Sequence, residues 1–172
     1  MDDAVMSQLV IPEDELSGDW REAMAQIARR TRESFRRHPW MLTHHDDNQG
    51  EGGPNGMRHF EQSLAAVAGT GLDAAARLEL VGMVDDYIYG FAFREAAVAD
   101  AGAFEDVPDA FFEYVQRLLD TGEYPHTAEL AQGDMRTALT HIMRTMFDPD
   151  RFERGLQRLL DGIALDIERR TG

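Results

Sequence analysis

The sequence contains no cysteine, and its 17 lysine and arginine residues are outnumbered by 32 aspartate and glutamate residues. Without cysteine, disulfides, thiolate nucleophiles and cysteine-ligated zinc are excluded, and a reducing compartment is favoured. The formal net charge of −15 argues against a nucleic-acid-binding body, because neutralising phosphates requires clustered lysine and arginine. The sequence contains no apolar run of about 18 residues, the length needed to span a membrane. Met1-Asp2-Asp3 lacks the basic start of a signal peptide. These absences predict a cytoplasmic protein.

The chain length and hydrophobic content fit one globular domain, since 172 residues with 43% hydrophobic side chains can bury a core. No run alternates β-branched and polar residues as a half-buried strand would, so the sequence predicts an all-α fold. Asp19 is a predicted N-cap of a helix from Trp20 to about His38, which Pro39 ends. Pro54 starts the next predicted helix.

Asp73 is the predicted N-cap of the longest helix, over about 74–100, and shorter helices are expected over 109–121 and 137–146. Residues 122–136, which include proline and glycine, are expected to be a looser segment. The last helix is expected over about 150–170.

Apolar side chains occupy every side of the 74–100 helix, so it must be covered all round, either in a central core or by a second subunit. The last helix carries a single apolar stripe with Gly155 and Gly162 seven residues apart. Because glycine in a helix interior costs about 1 kcal/mol relative to alanine, this pair predicts close approach of another helix, from the same chain or from a dimer partner.

Polar side chains within this pattern are candidates for binding. Asp85 and Asp86 lie in the middle of the apolar long helix, where an unpaired carboxylate is costly. We expect either an internal ion pair, with Arg29, Arg36 or Arg144, or a carboxylate that faces a ligand. Arg94, on the same helix, could bind an anionic group or pair with an acid such as Glu95.

Catalytic signatures are missing from the sequence: it has no glycine-rich phosphate loop, no nucleophile elbow and no zinc-protease histidine pair. We therefore expect no enzymatic activity and no cofactor. The remaining enzymatic alternative is a small helical metallo-hydrolase that uses His44, His45 and Asp47, although the surrounding glycine-rich stretch is more typical of a solvated loop.

Five short motifs in order resemble the C-terminal regulatory domain of tetracycline-repressor (TetR) family transcription factors. The resemblance extends over about residues 1–170. The motifs are Gly18-Asp19-Trp20-Arg21-Glu22-Ala23, Arg37-His38-Pro39-Trp40, Gly53-Pro54-Asn55, Tyr87-Ile88-Tyr89-Gly90-Phe91 and Phe152-Glu153-Arg154-Gly155-Leu156 with Leu159-Leu160-Asp161-Gly162-Ile163.

The resemblance implies an all-helical domain that forms a homodimer through a four-helix bundle of the long helix and the last helix. It also implies a ligand cavity under the long helix, which binds a mid-sized, largely apolar effector. The implied ligand-binding positions are Ile27, Thr31, His45, Phe60, Leu64, Val81, Asp85, Ile88 and Arg94. The implied dimer positions are Tyr87, Phe91, Phe152, Gly155, Leu156, Leu159, Leu160 and Ile163.

Two departures from the family pattern stand out. His45 falls near the histidine that holds magnesium in tetracycline-binding members, but Arg94 replaces the glutamate that assists the metal, so we expect no metal site. The helix-turn-helix DNA-binding domain of the family is absent, with residues 1–10 resembling the connector helix that follows it. Residues 1–172 would then be one effector-binding domain that does not touch DNA itself, taken from a longer repressor. The alternative is a stand-alone protein that sequesters a small molecule.

Overall fold

The computed structural model describes residues 3–42, 53–101, 107–131 and 134–172, which form eight α-helices and, within these ranges, no strand. The predicted all-α class is thereby confirmed. Within the same ranges, no helix is both long and apolar enough to cross a membrane. The helices are α1 (Asp3–Met6), α2 (Trp20–Arg37), α3 (Gly53–Ala66), α4 (Ala74–Ala101), α5 (Asp109–Asp120), α6 (Pro125–Ala131), α7 (Met135–Met146) and α8 (Arg151–Thr171).

Capping hydrogen bonds confirm two of the predicted helix starts. The Asp19 carboxylate accepts a hydrogen bond from the backbone N–H of Glu22 at 2.9 Å, and Asp73 accepts one from Ala76 at 2.9 Å. Each bond satisfies one of the N–H groups that have no partner in the first turn of a helix. After α2, Pro39–Leu42 forms a short 3-10 helix.

The expectation of a looser segment over 122–136 is wrong, because α6 occupies Pro125–Ala131 and α7 already begins at Met135. Pro125 is the first residue of α6, a position that lacks an intrahelical N–H partner and so tolerates proline. Asp134 caps α7 by accepting a bond from the backbone N–H of Thr137 at 3.1 Å.

The chain divides into two compact units, one formed by residues 1–100 with 155–172 and the other by residues 101–154. In the second unit, a small apolar cluster holds α5 against α6 and α7. It consists of Ala131, Met135 and Ala138, with Phe112, Val115 and Leu119 packed on it.

The core of the first unit is formed mainly by α2, α4 and α8, and polar links join these helices at its edge. Arg32 on α2 donates two hydrogen bonds to the Glu95 carboxylate on α4, at 3.0 and 2.6 Å. Arg21 pairs with Asp161 on α8 at 2.7 Å. The core side chains with the lowest exposure include Met24, Ile27, Val67, Val81, Val84, Ile88, Leu156 and Leu160.

The described residues do not cover the long helix α4 on all sides. Leu80, Val84 and Ile88 are buried, but Met83 remains 45% exposed and Phe93 61% exposed. The sequence predicted that α4 is either a central core helix or a helix shared with a second subunit. The exposed apolar face is compatible with a helix shared with a second subunit.

Gly155 and Gly162 differ in what surrounds them. A Cβ at residue 155 would overlap the phenol oxygen of Tyr87 on α4, so Gly155 lets α4 and α8 of the same chain approach closely. A Cβ at residue 162 would meet no atom within 4 Å. Close packing within the chain therefore explains only the first glycine.

We expect Gly155→Ala to lower the free energy of unfolding by about 1–3 kcal/mol, because the added methyl must displace the half-buried Tyr87 ring from α8. Urea unfolding followed by circular dichroism measures this change. The matched control is Gly82→Ala in α4, where a Cβ would meet no described atom within 4 Å. There alanine should raise the free energy of unfolding by up to about 1 kcal/mol. Equal effects of the two substitutions would contradict the close approach at Gly155.

Candidate functional site

The predicted ligand-binding residues of α2 and α4 lie in the interior of the first unit. Ile27, Val81 and Ile88 are each at most 1% exposed, and Thr31 is 5% exposed. Asp85 is half-buried, one helical turn from both Val81 and Ile88. The two helices bring a mostly apolar surface together with a few polar groups, which is the usual composition of a small-molecule site.

The Asp85 carboxylate receives no hydrogen bond or ion pair from any residue that the structure describes, so the predicted internal ion pair is not found there. Arg29 pairs with Glu22, and Arg36 pairs with Glu33. Burial, with a smaller contribution from the nearby charge of Asp86, raises the pKa of Asp85 to about 6. An ionised carboxylate here lacks the compensation that a cation would supply.

Tyr89 lies one turn after Asp85, and its ring packs on Phe35 of α2 with 4.7 Å between the ring centroids. Burial raises the pKa of the Tyr89 phenol, and the Asp85 carboxylate adds to that shift. The two side chains therefore share one environment, in which an aromatic surface adjoins a carboxylate. This combination can hold an apolar cation by ring contact and charge.

Three more polar atoms are buried without a hydrogen-bond partner among the described residues: Thr31 Oγ1, His59 Nδ1 and Arg77 Nε. Leaving such a group unpaired costs about 1–3 kcal/mol, so each one calls for a functional or structural explanation. Thr31 was predicted from the sequence as a ligand contact. His59 and Arg77 were missed, because a polar residue on a helix gives no sequence signal that it is buried.

The remaining predicted ligand positions are spread more widely. Phe60 on α3 is 42% exposed, Leu64 is half-buried, and Arg94 on α4 is exposed. Glu95, the expected partner of Arg94, bonds instead to Arg32. His45 lies outside the described residues, as do His44 and Asp47 of the metallo-hydrolase alternative.

The predicted dimer residues divide into a buried and a half-buried set. Phe152, Leu156, Leu160 and Ile163 are at most 5% exposed within the single chain, so a partner subunit would contact their neighbours more than these four side chains. The half-buried set consists of Tyr87, Phe91, Gly155 and Leu159.

An apolar groove of about 350 Å³ runs along the outer side of α4 and α8. Leu159 and Ile163 line it from α8, and the partly exposed Met83 lines it from α4. At one end the Arg170 guanidinium lies 3.7 Å from the Glu79 carboxylate. The complete lining is Leu72, Ala76, Glu79, Leu80, Met83, Arg158, Leu159, Gly162, Ile163, Asp166, Ile167 and Arg170.

Gly90 and Gly162 are exposed glycines inside α4 and α8, and a Cβ at either would meet nothing within 4 Å. Gly90 lies seven residues after Met83 and so falls on the same side of α4. Since glycine weakens a helix by about 1 kcal/mol relative to alanine, and no described contact requires it here, these positions suit the close approach of a helix from another chain.

Comparison with known proteins gives consistent matches. The family model described as "Tetracyclin repressor-like, C-terminal domain" matches residues 11–167. The "HTH-type transcriptional repressor DrrR1" of Streptomyces coeruleorubidus is 30% identical over 168 residues, which cover 94% of this chain. The chain spans 57% of the length of that relative.

A solved structure, of a possible TetR family transcriptional regulator from Streptomyces coelicolor A3(2), superposes with a TM-score of 0.61 at 23% identity. The match covers 95% of this chain and 72% of the other. At this level of identity the likeness shows the fold alone, and it confirms the predicted TetR-like architecture.

We expect Asp85→Asn to stabilise the chain above pH 6 by at most about 3 kcal/mol, since one pKa unit corresponds to about 1.4 kcal/mol. The folded-state pKa of Asp85 is about 6, above its ordinary value of 3.8, so the ionised carboxylate opposes folding at higher pH. The advantage of the variant should shrink as the pH falls from about 6 towards 4, where wild-type Asp85 becomes protonated.

Urea unfolding at several pH values between 4 and 8 measures this difference. The matched comparison is Asp86→Asn, which removes only the smaller contribution of the exposed Asp86 charge and leaves the desolvated Asp85 carboxylate in place, so its pH dependence should stay close to that of the wild type. A stability difference between Asp85→Asn and wild type that does not vary with pH would contradict the desolvated carboxylate.

Proposed function

Since the chain belongs to the tetracycline-repressor-like C-terminal domain family of transcriptional regulators, we propose that it is the effector-binding and dimerisation domain of a repressor. Its role is to bind a small molecule and, as a homodimer, to control DNA binding by a helix-turn-helix module outside these 172 residues. The domain itself makes no contact with DNA, in keeping with its net charge of −15. No catalytic step and no cofactor are part of this function.

The observation that carries the effector proposal is the unpaired Asp85 carboxylate among apolar and aromatic side chains. Val81 and Ile88 flank it, and Tyr89 adjoins it with Phe35 against the ring. A buried carboxylate without a partner is costly, and a ligand that brings a positive charge removes that cost. We infer a mid-sized, mostly apolar effector with a cationic group.

The exposed face of α4 and α8 supports the dimer proposal. Large apolar side chains such as Met83 are exposed there, an apolar groove separates the helices, and Gly90 and Gly162 have no packing reason within the chain. A second copy that places the same two helices on this face would form a four-helix bundle and cover the apolar surface.

The control step follows from differential affinity. If the dimer has two geometries, an effector that binds one of them more tightly shifts the population towards it, by no more than the difference in binding free energy. In this proposal, only one geometry spaces the two DNA-binding modules correctly for the operator. The effector therefore changes DNA affinity without touching DNA.

We expect rhodamine 6G, a planar apolar cation, to bind the chain at pH 7.5, as measured by fluorescence polarisation. Asp85→Asn should weaken this binding about tenfold or more, because hydrogen bonds and pairs involving charged groups contribute about 1.5–3 kcal/mol. Since the probe keeps its charge, its affinity for the wild type should also fall as the pH drops through about 6, the pKa of Asp85.

Two comparisons make this experiment decisive. Asp86→Asn should bind rhodamine 6G as the wild type does, because the Asp86 side chain is exposed. Nile red, a neutral dye of similar shape, should show no dependence on residue 85. No binding of the cation, or equal binding by Asp85→Asn, would refute the cationic effector.

We expect Met83→Glu to convert the dimer to a monomer in multi-angle light scattering, because it places a carboxylate in the middle of the apolar α4–α8 face. Met57→Glu is the matched control: Met57 is 67% exposed on α3, away from that face. Since Met83 is itself 45% exposed, the variant chain should keep its helical circular dichroism spectrum. A Met83→Glu protein that remains dimeric would place the interface elsewhere.

A further inference from the structure

One face of α3 is polar and nevertheless lies against the chain. Asn55, His59 and Gln62 follow each other at spacings of four and three residues, so they lie on one side of the helix. Asn55 and Gln62 form hydrogen bonds with the N-terminal segment, residues 3–11, mostly to main-chain atoms, and His59 interacts with the backbone of Leu9. We refer to these three side chains as the α3 latch.

Gln62 binds both main-chain groups of Ile11. Its Nε2 donates to the Ile11 carbonyl oxygen at 2.7 Å, and its Oε1 accepts from the Ile11 N–H at 3.0 Å. A side-chain amide that pairs with one donor and one acceptor of the same residue fixes both the position and the orientation of that peptide.

Asn55 and Asp3 make the corresponding link at the start of α3. The Asp3 carboxylate accepts from the Asn55 N–H at 2.9 Å, and the Asn55 Nδ2 donates to the Asp3 carboxylate and carbonyl at 2.8 and 3.1 Å. Asp3 thus acts as the N-cap of a helix that begins fifty residues later in the chain. Gly53, with φ +60°, leaves the space that the Asp3 carboxylate occupies, since a Cβ there would overlap it.

His59 completes the latch between these two links. Its imidazole interacts with the backbone of Leu9, while Nδ1 is buried without a partner among the described residues. Burial lowers the pKa of His59, against the opposing effect of the Leu9 bond, so the ring is neutral at pH 7. From α2, a single bond also reaches the segment, from Arg30 Nε to the Gln8 carbonyl at 2.6 Å.

Apolar contacts anchor the same segment in the first unit. Val5, Leu9 and Ile11 are buried, and Met6 lies near Gly56 of α3, where a Cβ would be 3.5 Å from the Met6 methyl. The latch and these contacts join the segment to α3 at several points along its length. Because the hydrogen bonds have strict distance and angle requirements, they resist sliding of the segment along α3 more than apolar contacts alone would.

We propose that Asn55, His59 and Gln62 are positioning residues that make residues 3–11 move together with α3. An effector that displaces α3 then displaces the N-terminal segment by the same amount. This inference rests on the proposed function, because it supplies the physical link between an effector-binding interior and a module attached through residues 3–11. Its test needs neither the effector nor DNA.

The test displaces α3 by a substitution in its packed side. Ser63 is 2% exposed on α3, so Ser63→Leu must push the helix outwards, whereas Ser63→Ala removes the hydroxyl without adding volume. Spin labels are attached at Gln8→Cys, Glu61→Cys and Glu168→Cys, all exposed positions in a chain without native cysteine. Double electron–electron resonance then measures the distances 61–168 and 8–168, with excess unlabelled chain to isolate one labelled copy.

We expect Ser63→Leu to shift both distances by similar amounts and Ser63→Ala to shift neither. When Asn55→Ala and Gln62→Met are added, the 61–168 shift should persist while the 8–168 shift falls to less than half. Ser63→Val serves as the milder displacement if Ser63→Leu fails to fold by circular dichroism. If the latch had only a structural role, the latch substitutions would lower the melting temperature, but the 61–168 and 8–168 distances would still shift by similar amounts.

Three outcomes overturn the proposal: a segment that stays in place when α3 moves, a segment that follows α3 equally well without the latch, or an α3 that none of the Ser63 substitutions moves. None of them bears on rhodamine 6G binding. Failure of the latch and failure of the effector proposal are therefore read from separate experiments.

Discussion

The long helix α4 carries more apolar surface than one copy of the chain covers, and the other features of the first unit depend on this excess. Its inner side, with Val81, Val84 and Ile88, packs on α2 and α8 and forms the core. Its outer side leaves Met83 exposed beside an apolar groove, and Phe93 is exposed further along the helix. One helix thus forms the wall of an interior on one side and a surface suited to a second chain on the other.

As a result, a polar group of the interior and a position on the outer surface lie on the same helix, α4. Asp85 lies between core residues, and Gly90 faces outwards little more than one turn further on. A change in what surrounds the Asp85 carboxylate can shift α4 only as a body, because a hydrogen-bonded helix transmits displacement along its length. In the function proposed above, this continuity would couple binding in the interior to the geometry of the two subunits.

The sequence predicted those features that depend on neighbouring residues. Asp19 and Asp73 were recognisable as N-caps, because the capping bond joins residues three apart. The same reasoning failed at α6, since Pro125 was taken as a breaker although proline is compatible with the first turn. Interactions between neighbouring residues determine the start of all three helices. The prediction failed only where Pro125 was placed in a loop instead of in the first turn of a helix.

The site depends on contacts that no local pattern reveals. Asp85 was recognisable because a carboxylate interrupts an apolar run, but the absence of its expected arginine partner required the structure. His59 and Gln62 read as ordinary exposed polar residues, since their partners are main-chain atoms about fifty residues away. A main-chain group has no residue-specific signal, so sequence reasoning cannot pair it with a distant side chain.

Because α3 holds the N-terminal segment through main-chain groups, the side chains of this segment can be substituted without loss of those bonds. Gln62 hydrogen-bonds to the main-chain N–H and carbonyl of Ile11, and His59 likewise interacts with the backbone of Leu9. The side chains at Ala4, Ser7 and Gln8 are exposed and lie outside these bonds. Substitutions at these three positions can therefore change the outward surface of the segment while α3 continues to hold it in the same place.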